Sequence, residues 1–159
     1  MLPCFLWRYP FAVTVGSVVL DAFDVEFFRL ATNSTNSDLY QVLDKSLDFY
    51  WYLFAFIYSL FTPYWFIFAI LFSIRLIGMI AFLLSKDRRV FLLFPNIFEN
   101  FFVFYVAVET LPQLSHLLNY PAILWVSAFL IVIKLFQEYL VHIAGFSLHR
   151  TIFGVPLRD

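Results

Sequence analysis

Apolar residues fill this chain in five long blocks separated by short polar or proline-marked breaks. The blocks run about Leu6 to Phe28, about Leu43 to Phe61, Tyr64 to Leu84, about Val90 to Leu111, and Ala122 to Phe146. A bilayer core of roughly 30 Å needs about 20 mostly apolar residues per helix. A helix also satisfies its own backbone hydrogen bonds where no water is available. The pattern therefore predicts an all-α fold, a polytopic transmembrane helix bundle of about five spans, as a single transmembrane domain over residues 1–159. Pro63 separates the second block from the third, because the residue before a proline resists the helical conformation. Pro112 and Pro121 bracket the segment between the fourth and fifth. Pro95, with Asn96 beside it, predicts a kinked or re-entrant start to the fourth. The first block could instead be a signal peptide. Its early positive charge, Arg8, lies inside the block and no small-residue cleavage site precedes Asp21, so a span is the reading taken.

Alternation puts the 29–43 loop, the 85–89 loop and the C-terminal tail on one side, with Arg29, Lys86, Arg88, Arg89, Arg150 and Arg158. The opposite side has only Arg8, and the 112–121 loop has no Lys or Arg. This bias predicts an integral, multi-pass protein with its basic side cytoplasmic, or matrix-facing in an organelle, and its N-terminus opposite. Asn33-Ser34-Thr35 is formally a glycosylation sequon, but on the basic side it reads as a plain turn.

Composition narrows the classes further. Of 159 residues, 63% are hydrophobic, 23% aromatic and 13% charged, and the mean hydropathy is +0.86. A soluble domain of this size has too little interior for so much apolar surface. That excludes a soluble enzyme and a disordered chain. A net charge of −1 and a pI near 6.3 leave no basic footprint for nucleic acid. The single cysteine, Cys4, permits no internal disulfide and reads as a small apolar residue near the membrane surface.

The acids are concentrated: six of the eleven fall between positions 21 and 48. Asp21 and Asp24 share a helix face at the end of the first block, and Asp44 and Asp48 share one at the start of the second. A short loop joins the blocks into an antiparallel hairpin, so both pairs would lie at one depth. Carboxylates so close repel in a low dielectric unless a divalent cation sits among them, and oxygen ligands suit Mg²⁺, Mn²⁺ or Ca²⁺. They could otherwise be interfacial acids in the headgroup region.

The run Asp21-Ala-Phe-Asp24-Val25-Glu26-Phe27-Phe28-Arg29, followed by Tyr40-Gln41-Val42-Leu43-Asp44-Lys45-Ser46-Leu47-Asp48, resembles the signature of the CDP-alcohol phosphatidyltransferase family. That signature reads D-x-x-D-G-x-x-A-R, then G-x-x-x-D-x-x-x-D. Every charged position is matched, over residues 20 to 48. The resemblance implies that Asp21, Asp24, Asp44 and Asp48 hold Mg²⁺ or Mn²⁺. It implies that Asp48 acts as general base on an acceptor hydroxyl, with a membrane lipid as substrate. Arg29 and Lys45 would then contact phosphate oxygens. The signature's small residues are here Val25, Phe28 and Tyr40, whose bulk fills the space where a CDP group approaches the backbone in the family.

Other polar residues lie inside the blocks. Arg75 needs an anionic or carbonyl partner, either an acid of the cluster or a lipid phosphate, unless it snorkels to the basic side. Asn96 and Glu99 share a face near the same level and could line the cavity. Alternatively Asn96 caps a helix and Glu99 complements its dipole. Glu109 reads as interfacial. Lys134, Glu138 and His142 form one stripe, an ion-pair ladder facing the bundle or a partner subunit. Trp7, Trp51, Tyr52 and Trp65 are candidates for interfacial belts.

Three functional readings follow. The first is metal-dependent phospholipid headgroup transfer. The second is a catalytically degenerate relative serving as an accessory subunit of a larger membrane complex, or as a homodimer. The third is a small cation transporter, which fits least because the acids sit at one face.

Overall fold

The computed structural model describes residues 2–20, 38–87 and 89–142, and within them every regular element is helical. Short 3-10 turns cover Leu2–Phe5 and Pro112–Leu118. The α-helices are α1 (Pro10–Leu20), α2 (Asp38–Ser59), α3 (Trp65–Ser85), α4 (Val90–Leu93), α5 (Ile97–Thr110) and α6 (Ala122–His142). The all-α expectation is met. Among the described residues α3 is the one helix long and apolar enough to cross a bilayer. The 112–118 turn with the first part of α6, bent by 88°, is a second if the pair is counted as one span.

The breaks have local causes. At the end of α2, the Ser59 hydroxyl donates to the Phe56 carbonyl at 2.7 Å and Thr62 to the Ser59 carbonyl at 2.8 Å. These carbonyls also accept the Leu60 and Thr62 N–H groups, so each hydroxyl adds a second bond where the last turn tightens. α3 stops at Lys86, which takes the left-handed conformation (φ 55°) and donates its N–H to the Phe82 carbonyl. The Asp87 carboxylate then accepts from the Arg89 N–H at 2.9 Å and shapes the turn. The predicted fourth span is not one helix. Phe94 precedes Pro95 and leaves the helical region (φ −128°, ψ 65°), so the segment divides into α4 and α5. Leu111, before Pro112, is extended for the same reason and ends α5. The predicted first span differs at its start: Leu6 to Arg8 form a turn, and the helix begins at Pro10.

Packing is dominated by rings. Phe68, fully buried on α3, meets Phe98, Phe101, Phe102 and Tyr105 of α5 with centroids 5.2–6.1 Å apart. Phe72 stacks on Phe56 of α2 at 4.4 Å. Edge-to-face pairs of this kind add roughly 0.5–1.5 kcal/mol each beyond area burial. Trp51 and Tyr52 are buried here, not in an interfacial belt, while Trp7 and Trp65 are exposed. The outer surface carries a broad apolar belt, including Phe66, Ile70, Ile77, Ile80 and Leu83 on α3 and Trp125, Phe129 and Val132 on α6.

Gly78 sets the approach of α4 to α3. A Cβ at this position would stand 2.5 Å from the Phe94 Cβ, well inside contact distance, and the obstructing atom cannot rotate away. Gly78→Ala is expected to cost about 1–3 kcal/mol through overpacking, against the roughly 0.5–1 kcal/mol that alanine returns as a better helix former. Thermal melting in detergent should show a lower midpoint, and an unchanged or higher one would contradict the close approach.

Candidate functional site

Arg75 organises the site. It lies on the buried face of α3 with Phe68, Gly78, Met79 and Phe82, and only 6% of it is exposed. Its Nη2 is 3.8 Å from Asp48 Oδ2 and donates to the Tyr52 hydroxyl at 3.5 Å, both on α2. The guanidinium also lies over two rings, 5.3 Å from the Tyr52 centroid and 5.0 Å from that of Phe91 on α4. Asp48 and Tyr52 are four apart, so one face of α2 presents both to the cation. The sequence expectation that Arg75 has a buried acidic partner is met, and the partner is Asp48.

A second layer joins α5 and α6. Asn96 caps α5, its Oδ1 accepting from the Glu99 N–H at 3.4 Å. Its Nδ2 donates to the Tyr52 hydroxyl at 2.7 Å and also to Glu99 Oε2. The Tyr52 hydroxyl is in turn 3.4 Å from the Glu99 carboxylate. Lys134 and Arg75 attract Glu99 electrostatically while Asp48 repels it. Lys134 is buried on α6 and donates to Gln137 at 3.3 Å. Two acidic and two basic side chains therefore share one cluster, with Tyr52 and Asn96 as neutral connectors between the Asp48–Arg75 pair and Glu99. The reading of Asn96 as a helix cap holds, and its side-chain amide also ties Tyr52 to Glu99.

One valence in this network is unused. Arg75 Nε is buried without a hydrogen-bond partner. A guanidinium presents a planar fork suited to carboxylate or phosphate oxygens, so one edge of Arg75 remains able to donate to an anion.

Other predicted site residues fall elsewhere. Asp44 and Lys45 lie on α2, Asp44 one turn before Asp48, and their side chains are outside the described residues. Asp21, Asp24, Val25, Phe28 and Arg29 are also outside them, as are the side chains of Tyr40, Glu138 and His142. Among the described residues no group of three or more His, Cys, Asp or Glu converges as a metal site. Glu109 is exposed and accepts from Tyr58 and Tyr105. Sequence reasoning missed Tyr52 and Phe91. The four-residue step from Asp48 was a signal for Tyr52, whereas nothing local marked Phe91.

No protein-family model matches the chain, and no curated protein or solved structure is similar to it. The likeness to the CDP-alcohol phosphatidyltransferases therefore rests on residues 20 to 48.

The network makes a stability prediction. Asp48→Asn leaves Arg75 with less counter-charge and should cost about 3 kcal/mol, near the low end for breaking a buried pair. The double variant Asp48→Asn/Arg75→Gln should cost at least about 1 kcal/mol less than the sum of the single ones. Additive losses in detergent unfolding would show that the two side chains are not coupled.

Proposed function

We propose that this chain is a multi-pass integral membrane protein that binds a CDP-activated lipid beside Asp48 and Arg75 and, in the manner of CDP-alcohol phosphatidyltransferases, joins its lipid-bearing phosphate to an acceptor hydroxyl as the pyrophosphate bond breaks and CMP leaves. The observation that carries the reading is the buried Arg75 guanidinium, set against Asp48 with its Nε unspent. Arg75 lies ten residues before the end of α3, roughly 15 Å along the axis. That depth is more than its side chain spans by snorkelling, so its partners must lie within the bundle; Asp48 is one, and the unspent Nε is where we place a lipid phosphate. The apolar belt and the length of α3 support membrane embedding. The positive-inside bias supports a cytoplasmic or matrix-facing position for the α3–α4 turn.

The oxygen-only donor set of Asp21, Asp24, Asp44 and Asp48 suits Mg²⁺ or Mn²⁺. When bound, such an ion would neutralise phosphate charge at the reacting centre. On the protein side, Asp48 would take the proton of the acceptor hydroxyl. Arg29, Lys45 and Arg75 would hold phosphate oxygens. Asn96 and Glu99 would fix the Tyr52 hydroxyl that shares Arg75 with Asp48.

The test is incorporation of radiolabelled headgroup alcohol into lipid by the purified protein supplied with CDP-diacylglycerol, or its exchange into phospholipid with CMP present. Either reaction should require Mg²⁺ or Mn²⁺ and vanish on chelation. Asp48→Asn should lower it by about 10²–10⁴ per folded molecule. Absence of both in the wild-type protein across serine, glycerol phosphate and inositol acceptors would overturn the enzymatic reading.

A second reading has its own support. The cluster of Asp48, Glu99, Arg75 and Lys134 suits a purely structural clamp, and Val25, Phe28 and Tyr40 occupy the signature's small positions. In that case the protein is a degenerate relative working as an accessory subunit. It should purify in mild detergent as a stable stoichiometric complex without exchange activity, whereas a monodisperse active monomer would exclude this role.

A further inference from the structure

At the other end of α5 lies a groove of about 450 Å³, between the α2–α3 turn and the 112–118 turn. That is within the range of small-molecule sites, roughly 300–1,000 Å³. Tyr64, Tyr105, Val108, Glu109, Ser115 and Asn119 are among its lining residues, and none of the lining residues is basic. The rings of Tyr64 and Tyr105 meet edge to face, 5.8 Å between centroids. The Tyr64 hydroxyl donates to the Leu118 carbonyl at 3.0 Å, which ties this wall to the 112–118 turn. The Glu109 carboxylate is held from both sides, by the Tyr58 hydroxyl at 3.0 Å and that of Tyr105 at 3.5 Å. Each of its oxygens has two acceptor positions, so each retains capacity after these bonds.

We propose that this groove is a binding site for an organic ammonium group. A fixed carboxylate beside the half-buried Tyr64 ring, in a groove with no lysine or arginine among its lining residues, matches the recognition of alkylated ammonium ions. The tyrosine hydroxyls spend their donors on Glu109 and Leu118. That orients the carboxylate in advance and leaves the half-buried Tyr64 ring, rather than a hydroxyl donor, to meet the ligand, with Tyr105 buried behind it against Phe68. Glu109 is ten residues beyond Glu99 on α5, roughly 15 Å along the axis. The site is thus separate from the Asp48–Arg75 cluster and stands whether or not headgroup transfer occurs there. The ammonium could come from a lipid headgroup or from a free amine.

The test is equilibrium dialysis of radiolabelled choline against the full-length protein in a maltoside detergent, with 3,3-dimethylbutanol as the neutral isostere. Choline should bind saturably, and the isostere should compete at least about 10-fold less well, because it lacks the charge. Glu109→Gln should weaken binding about 10-fold or more with its melting midpoint kept. Tyr64→Phe, which keeps the ring, should bind within about twofold, and Tyr64→Leu should lose about fivefold or more. In nanodiscs, a lower apparent choline affinity in phosphatidylcholine than in phosphatidylglycerol would identify the lipid headgroup as the source. Equal affinity in both would identify a free amine. No saturable binding, equal competition by the isostere, or unchanged binding in a folded Glu109→Gln protein would each overturn the proposal.

Discussion

A guanidinium held away from water requires anions, dipoles or ring faces to converge on it. Arg75 meets that requirement by drawing on three parts of the chain: Asp48 and Tyr52 from α2, Phe91 from α4, and, through Tyr52, the Asn96–Glu99 start of α5. Each contact constrains where a helix can lie. α2 must present Asp48 and Tyr52 on the same face. α4 must bring its ring against the cation, and α5 must begin at a depth where Asn96 reaches the Tyr52 hydroxyl. Lys134 of α6, buried and bonded to Gln137, acts on Glu99 electrostatically.

The aromatic packing follows from the same geometry. α4 and α3 approach closely because Gly78 offers no Cβ to Phe94, and this approach brings Phe91 into range of Arg75. Where Pro95 interrupts the helix, the backbone loses regular hydrogen bonds, and Asn96 replaces part of that loss as a cap. Beyond the break, α5 turns a wide apolar face, including Phe98, Phe101, Phe102 and Tyr105, toward Phe68. The polar cluster and the ring cluster are therefore successive layers along one helix. Glu109 and its tyrosines form a third polar layer at the far end.

Much of the candidate site was legible before any tertiary information. An arginine inside an apolar block announces a buried partner, and the acids of α2 were the nearest supply. Asn96 after Pro95, with Glu99 three residues on, announces both a break and a cap. Tyr52 and Trp51 were less legible. An aromatic residue near the middle of an apolar helix carries no mark of which face it occupies, and burial was decided by α5 packing over that face. The groove at Glu109 was equally hidden, since its walls come from the α2–α3 turn, α5 and the 112–118 turn.

The sequence by itself determined the helical class and the apolar belt, because continuous runs of apolar residues have only intrahelical partners for their backbone groups. It also determined two of the helix breaks, because Pro95 and Pro112 disfavour the helical conformation in Phe94 and Leu111 before them. Only the tertiary structure decided that Asp48 faces Arg75 and that Phe91 covers the cation. It likewise decided that Asn96 serves as cap and connector at once, and that Glu109 is held between two tyrosines. The physical reason is range: stop signals act over one or two residues, whereas the buried charge selects partners between 16 and 27 residues away along the chain, and that choice is made when helices pack.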